Sequence, residues 1–496
     1  MTHAAPYPPF ALPERRLSLA VAESVSPEIG AAGHIVFDGE DLPAGAGISL
    51  ERAEALGFTA KRDTSLVLPT AEGPVSVFLG GGARGKFSLD TVRDAAAVLA
   101  RAVPLPDLAM VLPESFDDVA ASAAAVEGAA LARYAYRIGK EDPKASISSL
   151  TLIAAPERHS AIEEGMARGA VIVRGTKLAR DLAGTPGGIL TAPKLGEVAT
   201  EHGAAAGLEV TVTEEAELVE MGCGGLLGVN LGSEHPPVMV KLVYRPAGEP
   251  IGRLTLVGKG IMYDAGGLAL KPGDEMHATM KNDMTGAAAI LGAMTTLGEL
   301  GCTSQVTGYL MCTDNLPDAT SMKMGDVIVM RGGKTVEVMN TDAEGRLVMA
   351  DALVLANEEP VDAIVDIATL TGAAMRALGT DIAAVIGNNE AMVEQVKASA
   401  KNTDEPVWEL PLARGYRSEL DSEIADLRNV GGVNAGSITA ALFLEEFVGE
   451  TPWAHIDIAG TAQSGSAKKW RNKGTTGFGT RLLIDLALNF RKVKES

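Results

Sequence analysis

Two short stretches of this 496-residue sequence concentrate the side chains best suited to chemistry. One is Asn340-Thr-Asp-Ala-Glu-Gly-Arg-Leu347, in which Asp342 and Glu344 flank a single alanine and Arg346 follows. The other starts at Val257-Gly-Lys-Gly and ends at Met280-Lys-Asn-Asp283, supplying Lys259, Asp264, Lys271 and Asp283. Taken alone, the octapeptide reads equally well as a solvated turn that opens a helix. Taken together, four carboxylates in one place would repel each other and retain protons unless cations neutralise them. Two divalent ions supply that charge, and a cysteine-free, oxygen-rich set suits Mn²⁺, Mg²⁺ or Zn²⁺. Ions about 3.5–4 Å apart can share a water and clamp both oxygens of a hydrolytic displacement. A lysine beside them has two possible roles. It can ligate as a free amine, because neighbouring cations depress its pKa, or remain an ammonium that steadies an oxyanion. Arg346 has the shape to hold a substrate carboxylate, bicarbonate or phosphate through two parallel bonds. This chemistry alone describes a two-metal hydrolase.

Both stretches have the same setting. Apolar strand patterns precede them, Arg253-Leu-Thr-Leu-Val257 and Thr335-Val-Glu-Val-Met339, and helical apolar runs follow at 284–291 and 347–355. The charged residues therefore fall at the carboxyl ends of strands, where open α/β sheets keep their sites. Glycines at 258, 260, 266 and 267 allow the backbone to pass close to something small. Upstream, strand patterns at 17–22, 34–37, 75–79, 108–112 and 149–154 alternate with helical ones at 91–102 and 119–136. This alternation predicts a mostly parallel sheet covered on both faces. A long helical pattern over 160–182 ends in Gly184-Thr-Pro-Gly-Gly188, a turn-rich break. The expected division is an α/β domain over 1–165, a linking helix and turn over 166–188, and a larger α/β domain over 189–496. In the latter, helices are predicted near 193–206, 437–448 and 480–491, and strands at 208–212, 363–367 and 454–458.

Length beyond what one core serves also argues for two domains. A hydrophobic fraction of 46% with 22% charged residues is ordinary for a globular protein. The formal charge of −21 repels phosphate backbones and disfavours nucleic-acid binding. Cys223, Cys302 and Cys312 are an odd, sparse set, which predicts reduced thiols in the cytoplasm. Residues 1–10 lack a leader pattern, and no apolar run is long enough to span a bilayer, so no membrane role is expected. The seven histidines show no His-Glu-x-x-His spacing, and no Gly-x-Ser-x-Gly elbow occurs. Gly80-Gly-Gly-Ala-Arg-Gly-Lys86 approaches a phosphate loop, but Phe87 stands where a hydroxyl is needed, so a glycine-rich turn into a helix is the reading. His277 reads as a solvated loop residue. Met276, Met280 and Met284, at helical spacing, read as core or pocket packing. Asp366 reads as a strand-end turn residue as readily as a ligand.

The octapeptide resembles the signature of the leucyl aminopeptidases, the cytosol aminopeptidase family of dinuclear metallopeptidases. Val257-Gly-Lys-Gly to Asp264-x-Gly-Gly, Lys271-Pro and Met280-Lys-x-Asp-Met284 resemble that family's second active-site stretch. Flanking segments resemble the family as well, namely Gly225-Leu-Leu-Gly228, Ala368-Thr-Leu-Thr-Gly-Ala373, Gly436-Ser-Ile-Thr-Ala440 and Trp453-Ala-His-Ile-Asp-Ile-Ala-Gly-Thr461, so that the likeness spans most of 180–490. The resemblance implies that Lys259, Asp264, Asp283 and Glu344 hold one metal, and Asp264, Asp342 and Glu344 a second. Lys271 would be the electrophile, and Arg346 would hold a bicarbonate acting as base on a bridging water. Met280, Thr369, Leu370 and Gly372 would line the pocket for the first side chain. The implied substrates are short peptides with a free N-terminal amine and a Leu-like first residue. The implied assembly is a cytoplasmic homohexamer built from two trimers. The implied fold is α/β, with a smaller macro-like N-terminal domain and a larger catalytic domain whose mixed sheet is flanked by helices. Tyr263 stands where the family more often has Phe, and Ala265 where a small hydroxyl residue is common. The Lys271–Asp283 segment is one residue longer than the family pattern. These departures bear on side-chain preference.

Overall fold

A computed structural model describes residues 7–13, 16–114, 117–139 and 146–493. Residues 1–6, on which part of the leader reading rests, lie outside the described residues. The chain divides into two compact units. One comprises Leu12–Lys177 with Ser464–Gly474, and the other Met1–Ala11, Leu178–Gln463 and Thr475–Ser496.

The first unit carries β1 (Ser18–Ala22), β2 (Ala31–Phe37), β3 (Ser65–Leu68), β4 (Val75–Gly82), β5 (Asp107–Val111) and β6 (Ser149–Ile153). They form one sheet in the order β1-β6-β5-β2-β4-β3. Every pair is parallel except β3–β4. Helices Leu89–Ala102 and Asp118–Ala132 bury alanine-rich faces with this sheet. The Gly80–Lys86 stretch is no cradle: a Cβ on Gly80 would lie 1.9 Å from the Lys61 carbonyl oxygen, so protein atoms already fill that space. The short β3 is absent from the sequence-based reading, because four residues offer too little periodicity to detect.

The second unit is built on β7 (Glu209–Thr213), β8 (Val238–Tyr244), β9 (Arg253–Asp264) and β10 (Gln305–Asn315). A small three-stranded sheet consists of β11 (Val327–Val329), β12 (Thr335–Glu337) and β16 (Leu427–Arg428). The main sheet is completed by β13 (Ala363–Ala368), β14 (Ala383–Gly387), β15 (Val407–Glu409) and β17 (Trp453–Asp457). Its order is β15-β14-β17-β13-β9-β10-β8-β7. The central run β17-β13-β9-β10 is parallel, and antiparallel pairs flank it. The sheet is therefore mixed. Helices Thr285–Met294, Gly345–Asn357, Gly436–Val448 and Thr480–Asn489 are among those that cover it. The apolar faces of Gly345–Asn357 and Gly436–Val448 meet Ile364, Ile386 and Trp453 of the sheet in one buried cluster. Strand β9 extends well past the predicted 253–257. Its glycines permit this, since a Cβ on Gly258 would come within 2.9 Å of Ala287 Cα in the overlying helix. Cys223, Cys302 and Cys312 are buried free thiols. Among the described residues, no helix is long and apolar enough to cross a membrane.

Candidate active site

Strand β9 ends in the first half of the site. Lys259 and Asp264 are five positions apart, so strict alternation would send them to opposite faces. Pairing with β10 shifts between Thr313 and Asn315, where β9 carries one extra residue. Such a bulge reverses the alternation and turns both side chains to one side. Beyond Asp264 the chain turns through Gly266, whose φ of 90° suits a residue without Cβ. The Gly266 N–H and Asn315 Nδ2 each donate to Asp264 Oδ1 at 2.9 Å. Asp283 caps the short helical turn His277–Asn282, and its Oδ1 accepts from Thr369 Oγ1 at 2.7 Å.

The octapeptide supplies the second half. Glu344 is the N-cap of Gly345–Asn357 but makes no side-chain cap bond, which leaves its carboxylate to the site. Gly345 is required beside it, because a Cβ there would stand 2.7 Å from Lys259 Cε. Lys259 Nζ lies 2.7 Å from both Asp283 Oδ2 and Glu344 Oε1, and donates to the Thr369 carbonyl at 3.1 Å. Lys271 Nζ lies 2.7 Å from Asp264 Oδ2 and also pairs with Asp342. One carboxylate oxygen each from Asp264, Asp342 and Glu344 fall within 4.8 Å of one another.

Electrostatics favour a cation in this cluster. Four carboxylates face two ammonium groups, and Glu344 Oε2 is buried with no hydrogen-bond partner among the described residues. Burial raises the Asp264 pKa, and burial raises that of Asp283 further still. Asp342 is pushed up to about 6 by burial and by the charges of Asp264 and Glu344. Burial also opposes ionisation of Glu344, but Lys259 and Lys271 outweigh it and hold the group below its ordinary value. Burial opposes charge on both lysines as well, yet the carboxylates hold each above the ordinary lysine value. Carboxylates that are reluctant to ionise, with an orphaned oxygen among them, are a donor set that divalent ions would satisfy. Arg346 is buried, which pushes its pKa down to about 10. It donates to the Asn429 carbonyl at 2.9 Å, while its Nε is without a hydrogen-bond partner among the described residues.

A cavity of about 430 Å³ opens over this cluster. Lys259, Asp264, Lys271, Asp283, Asp342 and Glu344 line it, as do Met280, Thr369, Leu370 and Gly372. His277 also lines the wall and is half-buried, so the solvated-loop reading is corrected: its ring stacks on Tyr263 at 5.8 Å between centroids. Met276 and Met280 face the cavity, whereas Met284 is core. Asp366 is no ligand. It is fully buried in β13, accepting from Trp453 Nε1 at 2.6 Å and pairing with His455 Nδ1 at 2.5 Å.

Two amides that the sequence did not single out hold the site together. Asn429 takes the Met339 N–H on its Oδ1 at 2.8 Å and donates Nδ2 to the Asn340 carbonyl at 2.7 Å. Asn315 bridges Asp264 and the Thr341 carbonyl, tying β10 to both halves. The only signal in the sequence was an amide near each strand end, which is too common to select.

Comparison with known proteins adds an independent finding. Residues 177–484 match the description "Cytosol aminopeptidase family, catalytic domain". A "Probable cytosol aminopeptidase" of Chlorobaculum tepidum is 46% identical over 351 residues, covering 70% of this chain and 69% of that protein. One from Geobacter sp. strain M21 is 40% identical over 465 residues, covering 90% and 93%. Among solved structures, "Bottromycin maturation enzyme BotP in complex with Mn" superposes with a TM-score of 0.84 at 35% identity, covering 92% of this chain and 99% of that one.

Proposed function

This chain belongs to the cytosol aminopeptidase family of metal-dependent hydrolases that act at peptide N-termini, and from that premise we propose how its own residues do so. Lys259, Asp264, Asp283 and Glu344 would hold one divalent ion, and Asp264, Asp342 and Glu344 would hold a second. The observation that carries this reading is the convergence of these side chains on one cavity floor, with more negative charge than the two ammonium groups neutralise. When bound, the two ions would supply positive charge to orient the substrate's free α-amine and to lower the pKa of a nucleophilic water near the scissile carbonyl. To serve as a ligand, Lys259 gives up the proton that its carboxylate neighbours otherwise retain. Lys271 keeps its proton and points its ammonium at the oxyanion as charge develops there. Arg346, with an unpartnered Nε, would hold a bicarbonate, which would supply a base there.

Met280, Thr369, Leu370 and Gly372 receive the first side chain, for which we propose a Leu-like preference. The similar solved structure is a complex with Mn, which supports Mn²⁺ here, with Zn²⁺ or Mg²⁺ as alternatives. We place the peptidase at 189–496, joined through 166–188 to an α/β domain over 1–165; the two compact units support this division except at Met1–Ala11 and Ser464–Gly474, which fall the other way. The protein works in the cytoplasm as a homohexamer, a dimer of trimers, and its likeness to cytosol aminopeptidases supports the location. The test is a leucine-linked chromogenic substrate assayed beside its N-acetylated form with added Mn²⁺. Only the free amine should be cleaved, and equal cleavage of both would rule out amine anchoring.

A further inference from the structure

One wall of the cavity is the turn Asp274–Met280, and its attachment is unusual. Its hydrogen bonds are local: His277 N–H to Asp274 Oδ1 at 3.0 Å, Ala278 N–H to the Asp274 carbonyl at 3.3 Å, and Thr279 Oγ1 to the Met276 carbonyl at 2.7 Å. Among the described residues, the turn is tied to the sheet through Tyr263. That residue donates its Oη–H to the His277 carbonyl at 3.3 Å and stacks its ring on the imidazole, with 30° between planes. His277 Nε2 is buried without a hydrogen-bond partner among the described residues, so stacking holds the ring. Tyr263 is itself seated on Gly187, where a Cβ would lie 3.0 Å from its own, and it directly precedes Asp264. The turn in turn presents Met276, which is 54% exposed, and Met280 to the cavity, where Met375 and Leu370 also face in.

We infer that Tyr263 and His277 are positioning residues that set substrate preference, by holding the Met276–Met280 wall at a width that admits aliphatic and thioether first side chains and excludes large aromatic ones. This rests on the aminopeptidase reading. Methionine walls are soft and adapt to the contour of a flexible guest, but only if the backbone carrying them is fixed. With the stack removed, the turn keeps its own bonds and, where Tyr263 remains, a single long hydrogen bond from its hydroxyl, and the wall yields to a larger ring.

The experiment compares kcat/KM for Leu-, Met-, Phe- and Trp-linked substrates in the Mn²⁺-loaded wild type and in His277→Ala, His277→Phe, Tyr263→Phe and Tyr263→Leu. His277→Ala and Tyr263→Leu should each lower the Leu-to-Trp ratio about tenfold or more, through KM for the Trp substrate. His277→Phe, which restores a ring to stack, should bring the ratio back to within about threefold of wild type. Tyr263→Phe keeps the ring and should shift the ratio less than Tyr263→Leu. A role confined to stability would lower all four substrates in parallel and leave the ratios unchanged. Ratios within twofold of wild type in folded, metal-replete Ala and Leu variants overturn the inference, as does failure of His277→Phe to restore them. If one position yields insoluble protein, the other decides. A wild type that cleaves none of the four substrates overturns the aminopeptidase reading itself, an outcome distinct from unaltered ratios.

Discussion

Lys271 contacts Asp264 and Asp342 in this structure, yet its proposed task is to meet the oxyanion, and the two can be separated by truncation. Lys271→Ala removes an electrostatic donor, which elsewhere costs roughly 10²–10³ in kcat. A loss of that size is expected here with both metals retained, read by turnover and metal analysis on the same sample. Unchanged turnover would strip Lys271 of the role. At this scale the ionised residues were legible, because acids and bases placed between apolar runs have few structural reasons to be there. The neutral anchors were not. Asn429 acts on Asn340 across 89 positions, and no local pattern marks so distant a contact. His277 was misread for a related reason: a polar ring in a loop looks solvated until its stacking partner, 14 positions earlier, is known.

The elements give the ligands their directions. The extra residue on β9 is what allows Lys259 and Asp264 to converge, and it was invisible because a bulge shows itself only against the paired strand. Strand β10 supplies that partner and was not predicted as a strand. The octapeptide loop depends in the same way on Asn429. Asn429→Ala should cost about 1–3 kcal/mol of stability for the orphaned backbone groups. It should also weaken metal retention by about 10–100-fold through the misplaced loop, measured by chelator competition. Farther from the metals, Asp366 on β13 faces His455 on β17, with Asp457 on the same strand and Arg346 on the covering helix also acting on the imidazole. Burial disfavours a charged His455, but Asp366 outweighs burial and raises its pKa above the ordinary histidine value. A raised folded-state pKa means that the stabilisation is complete below about pH 6.5 and is lost as pH climbs through the folded value. Asp366→Asn should therefore destabilise by about 3–5 kcal/mol at low pH, with the gap to wild type narrowing on the alkaline side. Thermal melts of both proteins across pH, at fixed metal, test this. A gap that widens with pH contradicts it.

For the molecule as a whole, the α/β class and the two-part organisation could be read from alternating periodicities. The path of the chain could not, since Ser464–Gly474 belongs to the compact unit otherwise built from the first third of the sequence. That return involves eleven residues without a strong pattern, and only their contacts assign them. The formal charge of −21 makes self-association depend on local surface rather than net attraction. Light scattering at physiological salt should nonetheless report six chains of 51.2 kDa each, and a monomer at working concentration would remove the hexamer. The central claim is that the acids at 264, 283, 342 and 344 tolerate one another by binding paired ions. It is tested most directly by elemental analysis of active, dialysed protein, followed by stepwise chelation with activity read at each step. Two equivalents of divalent metal per chain, with activity lost as they leave and regained with Mn²⁺, is the predicted result. Full hydrolysis by protein containing no divalent metal would contradict the account.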